Sequence, residues 1–131
     1  MKITALVTAF SILATTAHAE ETTRYMLEGI AEPSTWGAVL ANPQDRGANA
    51  EALMNAAGCE LIDYYFGMFN YKSYVVIQCP KSVDISPIQI IMFGAGTVDT
   101  ATATPIVTTA EMVDVAKAAQ KISGAYGGPS E

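Results

Sequence analysis

The residues able to do chemistry are few, and most of them crowd one stretch. Between Tyr64 and Tyr74, in "YYFGMFNYKSY", six aromatic rings fall within eleven residues. Asp63 stands just before them, between Ile62 and Tyr64 in an apolar run. A carboxylate drawn into an apolar strand must be paired or kept neutral. Beside a phenol such an acid can serve as a general base or hold a polar group of a ligand. Asp63 with Tyr71 is therefore the candidate catalytic pair. The structural alternative is a carboxylate at a wet sheet margin, or one bonded to Ser73 or a tyrosine. Strand alternation puts Asp63 on one face with Leu61 and Tyr65.

The aromatic cluster carries the same two readings. Trp36, Tyr64, Tyr65 and Tyr74 are candidate ligand-pocket residues. Alternatively the rings pack a sheet and a subunit seam, because tyrosine buries a ring and keeps a polar tip. Trp36 and Arg46 together can border a pocket beside the first helix. An exposed cap and a solvated charge are the bland equivalents, and they are preferred.

What is missing narrows the chemistry. His18 is the only histidine, and it lies in an N-terminal leader. Without it the chain has no Ser-His-Asp or Cys-His catalysis, no histidine-ligated metal, and no imidazole proton shuttle. Met26, Met54, Met68, Met92 and Met112 raise the question of cuprous ion, which thioethers favour. They form no cluster in the sequence, and most fall on apolar stripes, so they read as core. No cofactor and no metal site is expected.

The leader itself has three parts. Met1-Lys2 supplies a charge, Ile3 to Ala14 an apolar run, and "TTAHA" a pair of small residues, Ala17 and Ala19. That is the layout of a secretory signal peptide cut after Ala19. The apolar run is too short to span a bilayer, which needs about 20 residues. The expected divisions are a signal peptide at 1–19, one domain at 20–123 and a flexible tail at 124–131. Export to a periplasmic or extracellular space follows, with no stable membrane insertion after cleavage. Cleavage removes Lys2 and His18, leaving six basic against thirteen acidic residues. An acidic chain repels phosphate backbones, so nucleic-acid partners are not expected.

The elements that must position these residues follow from pattern and punctuation. Thr22 to Ile30 reads as a first strand. Ser34 is an N-cap candidate for a short helix carrying Trp36, Val39 and Leu40, which Pro43 interrupts. A second helical segment carries Ala50, Leu53, Met54 and Ala57 on one face and stops at Gly58. "CELIDYYF" and "SYVVIQC" read as a hairpin about a short link containing Gly67 and Asn70. A helix begins near Ser86-Pro87, although its Ile-rich run also suits a strand. "TVDTATATPIV" is a fourth strand whose Pro105 marks an edge or a bulge. Thr108 and Glu111 form a capping box for a last helix, with Met112, Val115, Ala116 and Ala119 as its buried stripe.

The first six elements match the β-α-β-β-α-β, ferredoxin-like plan of an α+β fold, followed by an extra helix. Helices would cover one sheet face. The middle strands are nearly continuous in apolar residues, whereas a sheet with one wet face alternates. The second face is therefore expected to be hidden against another copy of the sheet, in a homodimer with Val76 near its seam.

At this point the chain resembles a known family. The span from Arg24 to Ile122 is similar to a GYD domain, one of the small ferredoxin-like proteins grouped with the dimeric α/β barrels. The matching features are "NPQDR", "AAGCEL", the hairpin ending in "VVIQCP", "GAGTV" and "TTAEM", in that order. The family's Gly-acidic-Tyr-Asp signature is replaced here by Phe69-Asn70-Tyr71-Lys72, which keeps only the tyrosine. The resemblance implies the fold and the dimeric barrel. Related barrel families include small oxygenases, isomerases and ligand-binding regulators, and fold alone does not choose among them.

Cys59 and Cys79 complete the reading. Export would place them in an oxidising compartment, and two cysteines make one bridge. A hairpin turn centred on Phe69 sets them directly opposite each other, within disulfide reach. Such a bridge would stabilise by about 3 kcal/mol in the chain-entropy picture. Two buried free thiols in a slipped register are the alternative. The expected function is a small non-enzymatic module binding a small apolar or aromatic molecule, or a partner. The other class is a cofactor-free isomerase or oxygenase using Asp63 and a tyrosine.

Overall fold

The computed structural model describes residues 19–128, and the expected leader lies outside them apart from Ala19. Four strands and four α-helices follow one another as β1 (Thr22–Ala31), α1 (Pro33–Ala41), α2 (Gly47–Ala56), β2 (Glu60–Phe66), β3 (Lys72–Pro80), α3 (Ser86–Gly94), β4 (Val98–Ile106) and α4 (Thr109–Ile122). The strands form one sheet in the order β2-β3-β1-β4, and every neighbouring pair is antiparallel. Architecture and element order agree with the α+β reading. β4 is an edge strand, where Pro105 costs no ladder bond on its open side.

Alternation along β1 and β3 sorts the two faces. Leu27, Val75, Ile77 and Cys79 point to one side and form the core with Met54 of α2 and Ile88 of α3. Ile77 and Cys79 are fully buried. Gly29 lies on the same face because a side chain there would press on Val98 Cγ1 at 3.0 Å and Thr100 O at 3.1 Å. The other face carries Met26 and Val76 at its centre, opposite each other in the register. Around them stand Arg24, Glu28, Lys72, Gln78 and the threonines of β4, with Lys72 paired to Glu28 at 3.5 Å. The expected continuous apolar surface is therefore a small apolar centre inside a polar frame. Lys72, Tyr74, Val76 and Gln78 alternate with core residues as strand geometry requires.

Local chemistry accounts for the helix ends. α1 begins at Pro33, whose fixed φ suits a first helical residue. Its N-cap is accordingly Glu32, and the expected cap Ser34 lies inside the first turn. α1 stops at Ala41, just before Pro43. Asp45 Oδ1 accepts from Gly47 N at 2.8 Å to open α2, and Asp84 Oδ1 accepts from Ser86 N at 2.9 Å to open α3. α2 ends at Gly58, whose φ of +83° is open to glycine at little cost.

The hairpin contains an extra residue. At its base Glu60 pairs with Gln78 and Leu61 with Ile77, the register that opposes Cys59 to Cys79. Beyond Ile62 the pairing slips by one, so that Asp63 meets Val76 and Phe66 meets Ser73. The turn is thus centred half a residue beyond Phe69, and a bulge at Ile62 restores the expected register where the cysteines lie. Cys59 and Cys79 are joined by a disulfide across a Cα separation of 4.4 Å.

The last helix departs from expectation. Its capping box is present: Thr108 Oγ1 accepts from Glu111 N at 3.1 Å, and Glu111 Oε2 accepts from Thr108 N at 2.6 Å. Yet α4 buries no residue, and Met112 and Val115 are about half exposed. The expected buried stripe is on the outside. Met54 of α2 and Ile88 of α3 pack on the core face of the sheet, and α4 contributes no residue to that core.

Candidate ligand cleft

Between the helices and the core face of the sheet lies a cleft of about 300 Å³. Its floor is Tyr64, Phe66 and Val75; its roof is Val39 of α1 and Leu53 of α2; Met92 of α3 and Val98 close one end. α1 creates the space by standing off the sheet. It buries no residue, and Pro43 detaches it from α2. Trp36 holds its outer side by packing on Phe66, with ring centroids 5.4 Å apart. Thr35 Oγ1 ties α1 to the strand-β4 entry by donating to Thr97 O at 2.9 Å.

Few polar groups face this space. Ser73 is buried, and its hydroxyl makes only a long 3.5 Å bond to Gly29 O. Arg46 lines the mouth with a buried Nε that no acceptor meets. Its ammonium-like charge is felt at Tyr64. Burial pushes the Tyr64 hydroxyl above the ordinary phenol range, and the Arg46 guanidinium works in the opposite sense. No aspartate or glutamate lines the cleft. The lining suits a small, largely apolar molecule with a few oriented polar groups.

The residues singled out in the sequence are distributed over three surfaces. Tyr64 lines the cleft. Tyr65 pairs with Tyr74 on the opposite face of the sheet. Trp36 of α1 meets Tyr71 edge-on at 6.5 Å in an open hollow shared with Pro33 and Asp99. Tyr71 holds a left-handed backbone (φ 58°), unusual for a bulky residue, and its carbonyl accepts from Ala31 N at 3.2 Å. Asp63 is exposed rather than buried, and it faces away from the core with Tyr65. The bulge at Ile62 separates it from Leu61, which packs on the core side. A hydrogen bond from Tyr65 to Asp63, reinforced by the carboxylate's charge, raises the Tyr65 hydroxyl above its usual range. Asp63 and Tyr71 are not in contact through any hydrogen bond among the described residues.

In the sequence Leu53, Met54 and Met92 read as core; Arg46 carried two readings, a pocket border with Trp36 and the preferred solvated charge, and it lines the cleft while Trp36 does not. Their role at the cleft depends on how far α1 stands from the sheet, and the break at Pro43 was the only hint of that. No family model, curated protein or solved structure matches this chain.

Proposed function

We propose that this is an exported, disulfide-stapled module that binds a small, largely apolar molecule in the cleft beneath α1 and α2, without performing chemistry on it. The observation that carries this reading is the cleft itself: an apolar space of about 300 Å³ with a few polar groups at its edge. That volume lies at the lower end of small-molecule sites, about 300–1000 Å³. Export is supported by the three-part leader and by the Cys59–Cys79 bridge, which persists best in an oxidising compartment. No helix among the described residues is long and apolar enough to cross a membrane.

The same reading takes the domain as ferredoxin-like and GYD-like, as the ordered motifs suggest, and as one half of a homodimer. The outward stripe of α4 supplies apolar surface for a second copy, and Met26, half-buried, and Val76, 9% exposed, stand at the centre of the sheet face turned away from the core. Native mass spectrometry of the oxidised protein purified from its own host tests the binding function. The expected spectrum carries a small added mass that is lost on denaturation. A protein that is always bare, and whose cleft takes up no apolar compound on titration, rules the function out.

A further inference from the structure

We infer that the cleft selects an anion: its ligand has an apolar body and one carboxylate-like head, and Arg46 receives that head. The inference rests on the cleft being a binding site, and adds the class of molecule it takes.

Arg46 is an unusual cation for this chain. Arg24, Lys72, Lys81 and Lys117 each sit within 4.0 Å of a carboxylate. Arg46 and the exposed Lys121 have no such partner among the described residues, and of the two it is Arg46 whose Nε is shut off from solvent without an acceptor. A guanidinium carries five N–H donors and accepts nothing, so only an acceptor can satisfy it. Leaving a buried donor unused costs free energy that a bound anion would recover. Asp45, Glu51 and Asp63 line, with Arg46, a second and more polar hollow that shares Arg46, Tyr64 and Phe66 with the cleft. On the cleft side there is no acid to compete with a ligand.

Position strengthens the case. Arg46 directly precedes α2, whose opening turn adds partial positive charge at the same end of the cleft. The Tyr64 hydroxyl, which the Arg46 charge reaches, supplies a donor deeper in. The buried Ser73 hydroxyl, held only by its long bond, is a second polar group in the wall. Thr35, Asn49 and Thr97 are the other polar residues of the lining, and the rest of the wall is aliphatic or aromatic and fits an apolar body. In a chain of net charge −6, a cleft whose one charged lining residue is a cation is set apart from the rest of the surface.

Isothermal titration with octanoate and octanamide, which differ in charge and little in shape, provides the test. The oxidised protein should bind octanoate about tenfold more tightly than octanamide at neutral pH. Arg46→Gln should bring the two affinities within about twofold, chiefly by weakening octanoate, and Arg46→Lys should keep part of the preference. Octanamide binding by the Gln variant also reports that the cleft is intact. Equal affinity for the two compounds, or a preference that survives Arg46→Gln, overturns the anion assignment and leaves the cleft as a neutral site. If neither compound binds at millimolar concentration, the binding function falls together with the inference.

Discussion

α2 and α4 are written in the same pattern and meet different fates. Each carries an apolar stripe at helical spacing. α2 lays its stripe on the sheet, and Met54 is 2% exposed. α4 carries Met112, Val113 and Val115 outward and buries none of them. Periodicity therefore states that a helix has an apolar side, and leaves open which surface receives it. The sheet has one apolar face, and α2 and α3 occupy it. In our reading the stripe of α4 belongs to an interface between copies.

The sharpest way to break this contrast is to truncate both methionines. Met54→Ala should cost about 2–5 kcal/mol, since it removes a buried core side chain and enlarges the space beside it. Met112→Ala should cost less than about 0.5 kcal/mol in dilute protein, as exposed positions do. Urea denaturation of the two variants at low concentration checks the pair. Comparable losses would mean that α4 packs on its own domain.

The disulfide gives the next largest effect. Cys79→Ala should remove about 3 kcal/mol and lower the melting temperature by roughly 10–20 °C. Calorimetry reads this directly. An unchanged melting point would mean that the bridge adds nothing to the stapled side of the molecule.

Association distinguishes the two faces of the sheet. Val76→Asp puts a charge at the centre of the uncovered face, where an apolar contact cannot cheaply take it. Dimer dissociation should rise at least about tenfold by sedimentation, and because Val76 is only 9% exposed within one copy, monomer melting should fall as well. Wild-type protein that sediments as a monomer at micromolar concentration would remove the homodimer from the account.

The smallest effect isolates α4. Thr108→Ala should weaken the helix by about 1 kcal/mol, seen as faster amide exchange in its first turn with little change in global melting. Acid should do the same. The Glu111 carboxyl is held below its ordinary value of 4.5 by the Thr108 backbone amide first, then by the Thr108 side chain and Arg24. A depressed carboxylate stabilises above its unfolded value, and that contribution is lost as pH falls through the folded one. Protection of the first turn should hold from neutral pH down to about 4.5 and decline below it. Protection that instead rises on acidification would contradict the cap.

Much of the fold was legible because it is written locally. Pro43 and Pro87, Gly58, and the Thr108–Glu111 pair act within a few residues of where they stand. Cys59 and Cys79 were matched through the hairpin register, although the turn and the bulge at Ile62 were hidden and happened to offset each other at the base. Asp63 stands at a wet sheet margin beside a tyrosine, the structural alternative read from the sequence, and the same bulge overturned only the face it was expected to share with Leu61. The cleft was the least legible part. It arises from the gap between α1 and the sheet, a tertiary distance that no residue in either element announces. The outward stripe of α4 was hidden for a related reason, since the competition for one sheet face is settled only when all the helices are assembled.

One spectrum can test the central claim, because the methionines sample each surface separately. Met54 and Met92 line the cleft, Met26 lies on the uncovered sheet face, Met112 lies on α4, and Met68 is in the hairpin turn. Methyl NMR of methionine-labelled, oxidised protein should show Met54 and Met92 shifting together as octanoate is added. Met26 and Met112 should respond to protein concentration and not to the ligand. Cleft methyls that stay fixed under saturating octanoate, while Met26 or Met112 moves, would contradict the account and put the binding surface outside the cleft.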